Sequence, residues 1–165
     1  MSTGDQARVS VSVAAPPEIA FEVFTTEIDL WWRRGLQYRH FGGERALIAI
    51  EPREGGRVFE SVGDDGPVHE IGRVLDWQPP VRLRFEWRLS NFAPGEHTEV
   101  EVSFQADGAG TRVTVSHRGW NAIRPDHPAR HGEPSAVFLR RLGLWWGGQL
   151  SVYRLRAANR VDPAD

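Results

Sequence analysis

The stretch TRVTVSHRGW, residues 111–120, begins as an alternating strand and places His117 where the next apolar residue is expected. Counting back by twos gives Val115, Val113 and Thr111, so the imidazole shares the face of the valines. Three roles fit that position: a general base, a polar anchor in the wall of a cavity, or a half-exposed strand-end histidine bonded to the following loop. Catalysis would also need a tuned pKa and a partner within about 3 Å. A second constellation is Glu60, His69 and Glu70. His69 and Glu70 are neighbours on one strand, so only one of them faces inward. Glu60 sits on the preceding strand, and a buried carboxylate opposite a histidine is the kind of pair active sites use, although solvent-facing pairs are commoner. His117 and Glu60 are thus the two candidates for moving protons. His127 and His131 have the i, i+4 spacing of helical metal ligands with Asp126 close by. Pro128 and Gly132 oppose a helix there, no third ligand is evident, and no metal is expected.

Seven tryptophans in 165 residues is a high count. Trp31, Trp32, Trp87, Trp120, Trp145 and Trp146 fall on or beside elements that should face the interior. Ordinary core packing accounts for them, yet several together would also make flat walls for an aromatic ligand, with His117, Tyr38 and Gln149 as the few polar groups. Phe85 and Val102 on inward strand positions, with Glu60 and His69, complete the candidate ligand-binding set. The doublets Arg33-Arg34 and Arg140-Arg141 read most simply as solvated helix faces; the other reading is an anionic head group or protein partner at a cavity rim.

Composition narrows the partners. Lys and Arg together number 20 against 22 Asp and Glu, a formal charge of -2, and no basic patch marks a nucleic-acid surface. Every basic residue is arginine, but they are scattered, so a coding bias explains them more simply than anion recognition. With no cysteine, disulfides, thiolate nucleophiles and cysteine-ligated metals are excluded, which permits a reducing compartment. The start MSTGDQARVS lacks a signal pattern, and no run of about 18 apolar residues occurs, so the expectation is a cytoplasmic protein without membrane insertion. Phosphate loop, GxSxG elbow, HExxH and dinucleotide fingerprint are all absent, and no cofactor is expected.

The elements that must position these residues follow from periodicity. Arg8 to Val13 alternates as a first strand; Pro16-Pro17 then opens a short helix to Thr25, and a further turn from Glu27 to Trp32 carries the Trp31-Trp32 pair. From Ala46 to His117 short strands alternate with turn chemistry: Ala46–Glu51, Arg57–Val62, His69–Trp77, Val81–Leu89, Thr98–Gln105 and the opening stretch. The segment NAIRPDHPARHGEP reads as a loop. Pro134 to Asn159 then reads as one long helix, with Gly147-Gly148 in its middle marking either a kink or a close approach to its backbone. The chain length suits a single domain over residues 1–165. A curved antiparallel sheet must bury its inner face, and the long helix is the element large enough to cover it.

Four segments, AFEVFTTEIDLWW, IEPREGGRVFE, GRVLDWQPPVRLRFEW and TEVEVSFQADGAGTRVTVSHRGW, carry a resemblance to the START-like, or SRPBCC, superfamily. Within it the chain is most similar to the branch of the C-terminal domain of the activator of heat-shock-protein-90 ATPase. The resemblance runs from about Val9 to Tyr153. It implies an α+β helix-grip fold: about seven antiparallel strands wrapped around a long C-terminal helix, with two short helices after the first strand and a cavity between sheet and helix. Gly55-Gly56, Pro79-Pro80, Trp87 and Trp120 record how the sheet bends and packs, so the motifs specify fold more than function. The functions implied are binding of a small hydrophobic or aromatic ligand, a polyketide cyclase or aromatase in which His117 or Glu60 moves protons, or a co-chaperone. A homodimer is compatible with the sequence. A chaperone partner is less expected, because the activator's N-terminal half has no counterpart in it.

Overall fold

The computed structural model describes residues 6–41, 45–88, 92, 93, 95–120, 123 and 134–161. Leu89, Asp126, His127 and His131 lie outside them, as does most of the expected proline-rich loop. Strand β1 (Gln6–Val13) leads into helices α1 (Pro17–Thr25) and α2 (Ile28–Trp31). Strands β2 (Ala46–Ile50), β3 (Arg57–Val62), β4 (Val68–Gln78), β5 (Arg82–Trp87), β6 (Thr98–Asp107) and β7 (Gly110–Arg118) follow, and α3 (Ser135–Val161) closes the order. The strands form one antiparallel sheet ordered β1-β7-β6-β5-β4-β3-β2. The meander lays five consecutive hairpins side by side, and β1 completes the sheet beside β7. The two short helices carry the chain from β1 at one edge to β2 at the other.

Alternation decides which face is buried. Leu83, Phe85 and Trp87 on β5, Val100, Val102 and Phe104 on β6, and Val113, Val115 and His117 on β7 all lie on the inner side. Their intervening partners form outward ion pairs such as Arg82 with Glu101 and Arg84 with Glu99. Helix α3 packs along β1 and against α1 and α2, and Trp146, Leu150, Tyr153 and Ala157 sink into the core at its inward positions. This is the helix grip. Pro17 starts α1 where a missing amide proton costs nothing, and the helix buries Phe21 and Phe24 against Phe104 of the sheet and Tyr153 of α3. Each such fully buried aromatic side chain contributes about 1.5–3 kcal/mol.

Two glycines show how the sheet bends. Gly108, at φ +61° in the β6–β7 turn, holds a backbone conformation that a side chain disfavours. Gly72 passes so close to β5 that a Cβ there would clash with the Glu86 carbonyl oxygen. The Gly147-Gly148 pair does not end α3, which runs continuously through it. The approach expected at the pair occurs at Gly148, where the Arg33 guanidinium lies beside the backbone, 3.2 Å from where a Cβ would stand.

Candidate functional site

A bulge selects the site. On β3, Val58 is opposite Gly72, but the next residue, Phe59, is opposite Glu70, so Ile71 is the extra residue on β4. Without it, strict alternation from Val74 and Gly72 would turn Glu70 inward. With it, His69 stands directly across from Glu60 on the inner face, while Glu70 turns outward to pair with Arg73 and Arg88 at 2.9 and 3.1 Å. The alternation visible in the sequence left that choice open, and the bulge made it.

Glu60 is buried, and its carboxylate accepts the backbone N–H groups of His40 at 2.7 Å and Phe41 at 3.4 Å. These bonds fasten the α2–β2 connection over β3 and β4. They also lay the His40 ring flat against His69, with centroids 4.1 Å apart and planes 19° apart. His40 was not among the residues expected at the site. Its place depends on a long-range backbone bond that no local spacing signals.

The same connection is fastened to α3. Gln149 accepts the Arg33 backbone N–H at 2.9 Å, the Trp145 indole donates to the Gln37 carbonyl at 3.1 Å, and the Tyr38 ring stacks on Trp145. Below it, the fully buried Arg39 side chain donates to the Asp29 carboxylate at 2.6 Å and to the Trp32 carbonyl at 2.6 Å. Between connection, sheet and α3 is a cleft of about 290 Å³. Tyr38, Trp87 and Trp145 supply its aromatic walls, Ile71 an apolar surface, and His40, Glu60 and His69 its polar end. Five candidates from the sequence, Tyr38, Glu60, His69, Trp87 and Trp145, therefore meet at one place.

Burial, then the neighbouring His40 and the Arg88 guanidinium, pushes the His69 imidazole below its ordinary range. A hydrogen bond to the Arg88 backbone opposes the shift without reversing it. The shift favours the neutral imidazole.

The remaining candidates lie deeper. His117 is fully buried rather than half exposed. Thr98 donates its hydroxyl to the Trp87 carbonyl at 3.1 Å, so at 2.7 Å it accepts from His117 Nε2–H; His117 Nδ1 accepts the Trp146 indole N–H at 3.1 Å. Both ring nitrogens are engaged, and burial holds the imidazole neutral, its pKa lowered to about 3. Trp146 in turn packs edge-on against Trp145 and Trp32, so His117 positions the tryptophans that back the cleft. Trp31, Phe85 and Val102 are core residues, and Trp31 donates its indole N–H to the Val23 carbonyl. Trp120 belongs to a second apolar cluster with Ile123, Phe138 and Leu139. Gln149 is buried, its Oε1 bound to Arg33 and its amide nitrogen without a partner among the described residues.

A larger hollow of about 420 Å³ lies between the start of the β1–α1 turn, the β6–β7 turn and the C-terminal half of α3. Its surface is mostly apolar, with Ser12, Asp107, Thr111 and Arg154 as its polar lining residues. No group of acidic residues and histidines placed to hold a metal occurs among the described residues, and no described helix is long and apolar enough to cross a membrane.

An antiparallel sheet gripping a C-terminal helix, with an aromatic cleft at the mouth of the groove between them, defines a helix-grip protein of the SRPBCC type. The family profile of the activator of Hsp90 ATPase homolog 1-like protein matches residues 14–142, and the chain belongs to that family. The anthrahydroquino-gamma-pyrone synthase Txn09, solved in complex with SUM, is 34% identical, with 86% of this chain and 90% of that one aligned at a TM-score of 0.51. The self-sacrificing resistance protein CalC from Micromonospora echinospora is 24% identical over 96% and 97% of the two chains, TM-score 0.64. Protein MLL2253 from Mesorhizobium loti is 19% identical over 94% and 97%, also at 0.64. The last two likenesses show the fold alone. Among curated proteins none matches the chain.

Proposed function

We propose that the chain binds a small hydrophobic or aromatic ligand in the cleft between the α2–β2 connection, β3 to β5 and α3. The observation that carries this reading is the convergence of Tyr38, Trp87 and Trp145 around about 290 Å³ of space ending at Glu60 and His69. That volume is at the lower end of small-molecule sites, and flat apolar walls with a few polar groups at one end orient a planar ligand. The 34% identity with an anthrahydroquino-gamma-pyrone synthase supports the same reading. Titration with a panel of arenes and lipids, followed by tryptophan fluorescence and melting temperature, tests it. Arenes should quench Trp87 and Trp145 and raise the melting temperature; no response from any hydrophobic class refutes the proposal.

A cyclase using the same cleft is the second reading, favoured by the Glu60–His69 juxtaposition across β3 and β4. There the walls would hold a flexible chain in its reactive conformation, and a cleft group would relay the proton.

A further inference from the structure

The polar end of the cleft contains acceptors and ion-paired arginines. His69 lines the cleft directly across from Glu60, with its ring stacked on His40. A neutral imidazole has one acceptor nitrogen, and among the described residues no protein group donates to the His69 ring. The guanidinium groups in the wall are each held in an ion pair, Arg39 with Asp29 at 2.6 Å and Arg88 with Glu70 at 3.1 Å, although Asp29 also pairs with Arg34 and Glu70 with Arg73. Glu60 adds a carboxylate. Its two backbone donors, from His40 and Phe41, lie in the connection covering it. Arg33 stands apart from the cleft lining, donating to the Tyr38 hydroxyl at 3.1 Å.

A ligand head group placed here meets a lone pair and a carboxylate, with no uncommitted cation in the described lining. An anionic head group would lose its water without gaining a counter-charge, which is costly in a half-buried site. A bare hydrocarbon would leave the imidazole lone pair dehydrated and unpaired. A neutral hydroxyl satisfies that acceptor and brings no charge.

We propose that His69 makes the cleft selective for neutral hydroxyarenes, accepting a hydrogen bond from the ligand hydroxyl while Tyr38, Trp87 and Trp145 hold the ring system. This inference rests on the cleft being the ligand site, and three probes of one size separate the two claims: naphthalene, 2-naphthol and 2-naphthoate, titrated at neutral pH against tryptophan fluorescence. 2-Naphthol should bind about five- to tenfold more tightly than naphthalene, the yield of one neutral hydrogen bond. 2-Naphthoate should bind more weakly than 2-naphthol by about tenfold or more, because its charge is dehydrated without a partner.

In His69→Phe, which keeps a flat ring and removes the lone pair, the affinity ratio of 2-naphthol to naphthalene should fall to about one. The comparison of probes on the unaltered chain stands even if that variant does not fold. Equal binding of naphthalene and 2-naphthol leaves the site in place and overturns the hydroxyl selectivity. Tighter binding of 2-naphthoate overturns the charge argument and assigns the head group to Arg33. If none of the three binds, both the selectivity and the cleft as an arene site fall together.

Discussion

Acidification probes the His117 arrangement most directly. In the folded chain burial keeps this imidazole neutral until about pH 3, whereas in the unfolded chain it protonates near its ordinary value of about 6.5. Between those limits the unfolded chain binds more protons, so stability is greatest above pH 6.5 and falls as pH drops toward 3. Integrated from about pH 7 to about pH 4.5, the loss from this one group is about 2.5 kcal/mol. His117→Gln supplies the comparison. Its amide offers an N–H toward Thr98 and an oxygen toward Trp146, and it does not titrate. Urea denaturation of both chains at the two pH values gives the difference directly. Groups such as Glu51, held below its usual range chiefly by its Arg57 hydrogen bond, lose stability in acid equally in both chains and cancel. Wild type should therefore lose about 2.5 kcal/mol more than the variant, whatever their absolute stabilities at pH 7. An equal loss would refute the buried, doubly bonded, neutral imidazole.

Gly72→Ala drives a methyl group against the Glu86 carbonyl beside the bulge, and should destabilise the fold by at least about 2 kcal/mol in urea denaturation. The same variant should weaken arene binding, since the bulge sets the inward aim of His69. Gly147→Ala meets no atom within 4 Å, so removing the glycine penalty in α3 should stabilise the chain by about 1 kcal/mol and raise the melting temperature by a few degrees.

The parts of the fold legible in the sequence are those governed by local period. The β5 alternation of Leu83, Phe85 and Trp87 and the β7 run ending at His117 predicted their buried face correctly because nothing interrupts either strand. On β4 the local rule fails. Val68–Gln78 contains two register shifts, one beside Gly72 and one between Val74 and Asp76, and neither can be read from one strand alone because a bulge is a property of the pair. Gly72 was the available signal: a glycine inside a strand marks a bulge or a close approach.

The site follows the same division. Period placed Trp87 and Trp145 on inward-facing elements, and Glu60 and His69 on neighbouring strands. What gathers them into a cleft is the segment from Arg33 to Phe41, whose anchors are Gln149, 116 residues from Arg33, and Glu60, 20 residues from His40. Such contacts have no signature in either segment by itself, so the sequence supplied the walls and not the enclosure. His117 shows the converse. Its inward direction was legible, but its chemistry depends on Thr98 and Trp146, 19 and 29 residues away. A histidine with one such partner on each nitrogen is a fixed support for the tryptophans, whereas His69 lines the cleft across from Glu60, where the proposed ligand would meet it.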